Sequence, residues 1–154
     1  LVYGGGSIRE NGCYQEIVGQ CEKHRIALWE LSGVTVNPDV QMVEMGAELC
    51  REHGIEFILA AGGGSVLDCG KMIAAAAKSE GTAWELAQYP ERIEAVLPIV
   101  VVSTIAASGS EMDYTAVLKF MKERKPFIHV TLEDTKPENN QRVKHFIMRK
   151  YAEV

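Results

Sequence analysis

No stretch of the 154-residue chain reaches the roughly 18 consecutive apolar residues that a membrane-spanning helix requires. No CxxC or paired cysteine spacing is present: Cys13, Cys21, Cys50 and Cys69 are scattered, which argues against a disulfide scaffold. Such cysteines read as buried or half-buried free thiols of a reducing compartment. Positive charge is not in excess either. The formal net charge of −5 removes nucleic acid and anionic membrane as dominant partners. Phosphate binding survives that exclusion, because backbone amides can do it without net positive charge. GxGxxG and GxxxxGK[ST] are missing, and with them the ordinary Rossmann and P-loop signatures.

Apolar residues make up 47% and charged residues 24%, the proportions of a soluble globular domain long enough for a sizeable core. Leu1-Val2-Tyr3 runs straight into glycines, which reads as the tail of a strand and not as a signal peptide. Residues ahead of Leu1 are therefore expected, and a cytoplasmic setting with them.

Tyr14, Ile17, Val18 and Cys21 predict a helix over 11–24, followed by a strand at Arg25–Leu31. Asn37-Pro38 breaks the pattern and places Pro38 in the first turn of a new helix. Val40, Val43, Met45, Ala47 and Leu49 are read on or near its apolar face, and Gly54 closes it. A buried strand is expected at Ile55–Ala61, an Ala-rich helix over 65–78, and a strand at 97–102, LPIVVV. YTAVLKF at 114–120 predicts another strand. Alternation at this spacing predicts an α/β fold, a Rossmann-like doubly wound parallel sheet with helices on both faces. The expected division is an α/β domain over 1–120 and a charged tail over 121–154. In that tail, residues 138–152 have the pattern of an amphipathic helix through Val143, Phe146, Ile147 and Tyr151.

GGGS occurs twice, at 4–7 and at 62–65, each time after a strand-like run. Glycines there allow positive φ and remove the Cβ atoms that would block a ligand. The helix that comes next directs free N–H groups at the gap, which suits a phosphate. A tight turn with no ligand remains the bland alternative for each copy. A third small-residue loop, STIAASGSEMD, follows a third strand and favours the binding reading.

GGGSVLDCGK resembles the GGGSxxDxxK signature of the iron-containing (group III) alcohol dehydrogenases. YGGGSIRENG, GVTVNPDV and STIAASGSEMD fall in that family's order and spacing, with the greatest similarity to its NADP-dependent butanol dehydrogenase and aldehyde reductase branch. The resemblance covers residues 1 to about 120. It implies a dinucleotide-binding domain that lacks its first strand and the helical metal-binding domain, of which QRVKHFIMRKY in the divergent tail could be a remnant. By the same resemblance, Gly62, Gly63, Gly64 and Ser65 would wrap the pyrophosphate, and Asp68 would lie near the nicotinamide and substrate. Thr104, Ser108 and Ser110 would contact the phosphates and the nicotinamide-side ribose; Gly5, Gly6 and Ser7 would sit by the adenosine ribose.

NADP is expected over NAD, because a serine at position 7 can donate to a 2′-phosphate that an acid would repel, and Arg9 is near in sequence. Ser7 could instead cap the next helix, Asp68 could merely favour a helix dipole from its first turn, and Lys71 could be a solvated surface residue. Lys125 loosely matches a lysine that approaches the cofactor phosphate in that branch.

The family's metal is held by one Asp and three His, starting with DxxxH. His24, His53, His129 and His145 have no Asp at that spacing, so neither iron nor zinc is expected to bind, and no catalytic residue is assigned. His24 and His53 read as cations near helix C-termini. The function implied is that of an NAD(P)-dependent alcohol dehydrogenase, present as its cofactor-binding portion, with an alcohol or aldehyde substrate only in a complete enzyme. The alternative is a catalytically inactive nucleotide-binding or oligomerising module. An uncovered cleft edge would favour a homo-oligomer.

Overall fold

LPIVVV has no polar side to give to water, and its core forms a strand that both layers of the fold need. The computed structural model describes residues 1–105, 109–112, 115–120 and 125–131. In it, β1 (Val2–Tyr3), β2 (Ile58–Gly62) and β3 (Ile99–Ser103) form a parallel sheet in the order β1-β2-β3. The register sets Tyr3 beside Ala61 and Gly62 beside Ser103.

Because side chains alternate along a strand, the sheet feeds two cores. Val2, Ile58, Ala60, Ile99 and Val101 pack on one face with α3 (Val40–His53), α4 (Gly64–Ala76) and α5 (Ala83–Gln88). Tyr3, Ala61 and Val102 pack on the other with Ile8 of α1 (Ser7–Glu10) and with Cys13 and Ile17 of α2 (Cys13–Lys23). Helices therefore cover both faces of a parallel sheet, as expected. All four cysteines are free thiols.

The 25–31 segment differs from expectation. It runs beside β1, and Leu1 N donates to Trp29 O at 2.7 Å, Leu31 N–H to Leu1 O at 2.8 Å and Tyr3 N–H to Leu31 O at 3.0 Å. Only the bridge between Val2 and Leu31 forms, because a two-residue partner cannot sustain a longer ladder.

Asp39 caps α3, accepting from Gln41 N–H at 2.9 Å, so Pro38 precedes the cap and does not lie in the first turn. Gly54 ends the helix in the left-handed region at φ 60°, which few other residues adopt cheaply. The buried seam is Val40, Val43, Gly46, Ala47 and Cys50, while Met45 is 58% exposed, contrary to its expected place. A Cβ on Gly46 would lie 2.5 Å from Ile73 Cδ1, so glycine is what lets α3 approach α4.

The 114–120 prediction corresponds to β4 (Thr115–Phe120), which stands outside the parallel sheet and pairs antiparallel with β5 (Lys125–Thr131). Ala116 and Leu118 are fully buried in the larger core. The helix expected at 138–152 lies outside the described residues.

Candidate functional site

Parallel register brings the loops together. Gly4–Gly6 follow β1, Gly63–Ser65 follow β2 and Thr104 follows β3, so all three loops leave the same carboxyl end of adjacent strands. Thr104 N–H donates to Gly62 O at 3.1 Å, which ties the third loop to the second. The chain leaves β1 towards the 25–31 edge and returns on the other side at β2. The two GGGS loops thus flank the point where strand order reverses, the usual ligand crevice of open α/β sheets.

The glycines serve different ends. A Cβ on Gly62 would meet Val66 Cγ2 at 2.6 Å, so this position is glycine for close strand-to-helix packing. Nothing lies within 4 Å of a Cβ built on exposed Gly5, which leaves open space beside the first loop. No side chain caps α4 at Gly63, and Val66 and Leu67 N–H return to Gly63 O at 2.9 and 3.2 Å. The start of a 13-residue helix therefore faces the crevice without a protein cap, which fits a phosphate.

Ser7 is exposed and is the first residue of α1, behind Gly6 as cap; α1 has no side-chain cap bond, so the alternative of Ser7 as a helix cap does not hold. Thr104 is half-buried, Ser110 is buried at 6% exposure beside Gly109, and Ser108 lies outside the described residues.

Two of the bland alternatives do not fit the structure. Asp68 lies beyond the first turn of α4, so the dipole argument loses force. Its buried carboxylate accepts from Val117 N–H at 3.1 Å. Lys71 is not a solvated lysine: it is 7% exposed, donates to Thr115 O at 2.7 Å and stands 3.6 Å from Asp68.

Arg9 is engaged as well. It donates to Tyr3 Oη at 2.7 Å, its guanidinium lies 3.9 Å from the Tyr14 ring centroid, and Glu30 is 3.8 Å away. Glu30 accepts from Tyr3 and Tyr14 hydroxyls at 2.7 and 2.9 Å, and the Tyr3 bond above all holds its carboxyl below the ordinary range.

Sequence reasoning missed Asn37 and Glu30 as neighbours of the loops. Asn37 sits in the left-handed region at φ 52°, and its N–H donates to Ser65 Oγ at 3.3 Å. The available signal was Asn itself, one of the few residues besides glycine that tolerates that conformation.

Among the described residues no group of three or more His, Cys, Asp or Glu could hold a metal ion, so they do not fit an iron site. His24 caps α2, and His53 ends α3 stacked on Trp29 with centroids 5.1 Å apart. His53 shares a groove with Leu1, Val2 and Ile58, at the amino end of the sheet and opposite the glycine loops.

Residues 1–136 match the iron-containing alcohol dehydrogenases. The chain belongs to that family. The match extends beyond residue 120 and takes in β5. NADH-dependent butanol dehydrogenase B of Clostridium acetobutylicum is 48% identical over 128 residues, covering 83% of this chain and 33% of that protein. The NADPH-dependent aldehyde reductase YqhD of Escherichia coli is 34% identical over 121 residues, 77% of this chain and 31% of its own. The crystal structure of NADH-dependent butanol dehydrogenase A from Thermotoga maritima superposes with a TM-score of 0.81 at 37% identity, covering 94% of this chain and 35% of that one. The chain thus spans about a third of the length of these relatives. Among the described residues no helix is long and apolar enough to cross a membrane.

Proposed function

We propose that residues 1–120 are the dinucleotide-binding α/β domain of an alcohol or aldehyde oxidoreductase, and that residues 121–154 continue from it as a charged extension. The observation that carries this reading is the convergence of three small-residue loops at the switch point, with the uncapped start of α4 among them. In this reading Gly62, Gly63, Gly64 and Ser65 hold the pyrophosphate, and Asn37 steadies Ser65. Gly5, Gly6 and Ser7 receive the adenosine ribose. Thr104, Ser108 and Ser110 serve the phosphates and the nicotinamide-side ribose. Asp68 serves the nicotinamide end, and its buried geometry favours an indirect part in that task.

A bound nicotinamide dinucleotide supplies the hydride donor or acceptor. The chain's own residues bind and orient it. The described residues offer no donor set for the family's metal, and activation of the substrate oxygen is not assigned to them.

The preference for NADP over NAD is the finer part of the proposal. Exposed Ser7 carries no charge that would repel a 2′-phosphate, which supports it. Arg9 weighs the other way, because Tyr3, Tyr14 and Glu30 already occupy its guanidinium. Relatives of both habits exist, the Clostridium protein being named for NADH and YqhD for NADPH. Release of Arg9 from Glu30 is therefore the step on which the choice turns.

A second reading, a catalytically inactive nucleotide-binding or oligomerising module, rests on the exposed apolar side chains at the cleft edge. Self-association would use the cleft edge, where Ile105 and Met112 are exposed; sedimentation velocity of the chain at rising concentration tests it.

Calorimetric titration with NADPH and NADH tests the main reading. Saturable heat is expected for both, with Ser7→Asp weakening NADPH more than NADH. A folded chain that takes up neither would leave the loops as packing features only.

A further inference from the structure

β4 has two edges, and β5 satisfies only one. β5 runs antiparallel along one edge, from Thr115 beside Thr131 to Phe120 beside Lys125; alternate residues of such a strand turn N–H and C=O to the opposite edge, and their bonds identify these as Thr115, Val117 and Lys119. That edge lies against the larger core, where an unmet N–H or C=O would be costly. Three bonds meet it. Lys119 N–H donates to Pro38 O at 2.9 Å, Val117 N–H donates to Asp68 Oδ2 at 3.1 Å, and Thr115 O accepts from Lys71 Nζ at 2.7 Å.

Asp68 and Lys71 stand one turn apart on α4, at 8% and 7% exposure, with Nζ 3.6 Å from Oδ1. A carboxylate only accepts and an ammonium only donates. Side by side they offer one acceptor and one donor at the spacing of an N–H and the C=O two residues earlier, as a neighbouring strand would. The charges also compensate each other, which makes their burial tolerable.

We propose that Asp68 and Lys71 are positioning residues that dock the free edge of β4 onto α4. Thr104 N–H on Gly62 O fastens the end of β3 to the second glycine loop, and the ion pair fastens the start of β4 to the helix after this loop. Between them they fix the wall of the crevice that carries Thr104 and Ser110. Only this last step, from docking to cofactor affinity, rests on the nucleotide reading.

The test is residue-resolved amide hydrogen exchange on the 154-residue chain, with NADH titrations in parallel. Asp68→Leu/Lys71→Met removes both charges of the pair together. In it, Val117 N–H is expected to exchange at least about tenfold faster, the loss of one bond to a charged acceptor, while β2 amides keep their protection. Asp68→Asn preserves an acceptor and is expected to retain most of the Val117 protection. NADH affinity is expected to fall in the double variant and to recover in Asp68→Asn.

Unchanged Val117 exchange in the double variant overturns the proposal, as does an equal rise across β2, β3 and β4. Weakened NADH binding with Val117 still protected also overturns it, because Asp68 would then touch the cofactor itself. If the unmodified chain takes up no NADH, the nucleotide reading fails while the exchange data still decide the docking. If the double variant does not fold, Lys71→Met alone carries the same test: a rise confined to β4 supports docking, and a uniform rise overturns it.

Discussion

The same four letters, GGGS, produce two unlike structures in one chain. After β1 they open a four-residue helix with exposed Ser7 and empty space around Gly5. After β2 they open a 13-residue helix that is apolar almost all round, with Gly62 pressed against Val66. The residues downstream of each copy make the difference. Ile8-Arg9-Glu10 offers one residue to the core, and Asn11-Gly12 then stops the turn, Gly12 at φ 79°. Val66, Leu67, Cys69, Met72 and Ile73 offer a continuous buried surface. Local glycine chemistry permits the turn in both; burial decides how long a helix it starts.

The largest effect expected from this contrast is at Gly62. Gly62→Ala should destabilise the chain by about 1–3 kcal/mol, the usual result of forcing an atom into a packed site, seen as a lower denaturant midpoint. An unchanged midpoint would show that Val66 yields at no cost.

Alkaline titration comes next. Burial pushes the Cys69 thiol up to about 12 from an ordinary value of 9.0. The folded state thus holds that proton more tightly than the unfolded chain, so this contribution is complete below pH 9.0 and is lost as pH rises towards about 12. Cys69→Ala should flatten that part of the stability curve. Cys13, the first residue of α2, is raised less and should contribute less to the slope.

Glu30→Gln sharpens the first loop. With its counter-charge gone, Arg9 keeps only the Tyr3 hydroxyl and the Tyr14 ring, and the ratio of NADPH to NADH affinity should rise by about twofold to fivefold, the scale of one exposed charge contact. The same variant has a pH signature. The lowered Glu30 pKa stabilises the fold above pH 4.5 and is lost as pH falls through the folded value, so Glu30→Gln should lose less stability on acidification.

Smallest is Gly5→Ala, which should change stability by no more than about 0.5 kcal/mol. Its affinity for either dinucleotide should nevertheless drop, because the new methyl occupies the space left beside the loop. A destabilised Gly5→Ala would make the two loops alike after all.

The parts legible in sequence are those decided by near neighbours. LPIVVV announces β3 because its apolar run leaves no exposed side, and Gly54 announces the end of α3 because the left-handed residue there needs it. The glycine loops and Thr104 were legible as candidates because small residues cluster after each strand. Met45 was misread although the spacing 40, 43, 47, 50 already excluded it from the seam. The remaining differences depend on partners remote in the chain. Lys71 looks like a surface lysine until a carbonyl 44 residues away lies over it. Arg9 looks available until Glu30, on a neighbouring segment, takes hold of it. The 25–31 segment has a strand's composition but a partner too short to zip.

The ion pair on α4 also bears on how the chain keeps company with its own copies. A bare row of N–H and C=O groups is a template on which another chain can add a strand, and crowded solutions find such templates quickly. Along β4 that row is answered from within by Pro38, Asp68 and Lys71. Two side chains on one helix turn thus double as protection against sheet growth between molecules, at the strand whose unmet edge would otherwise invite it.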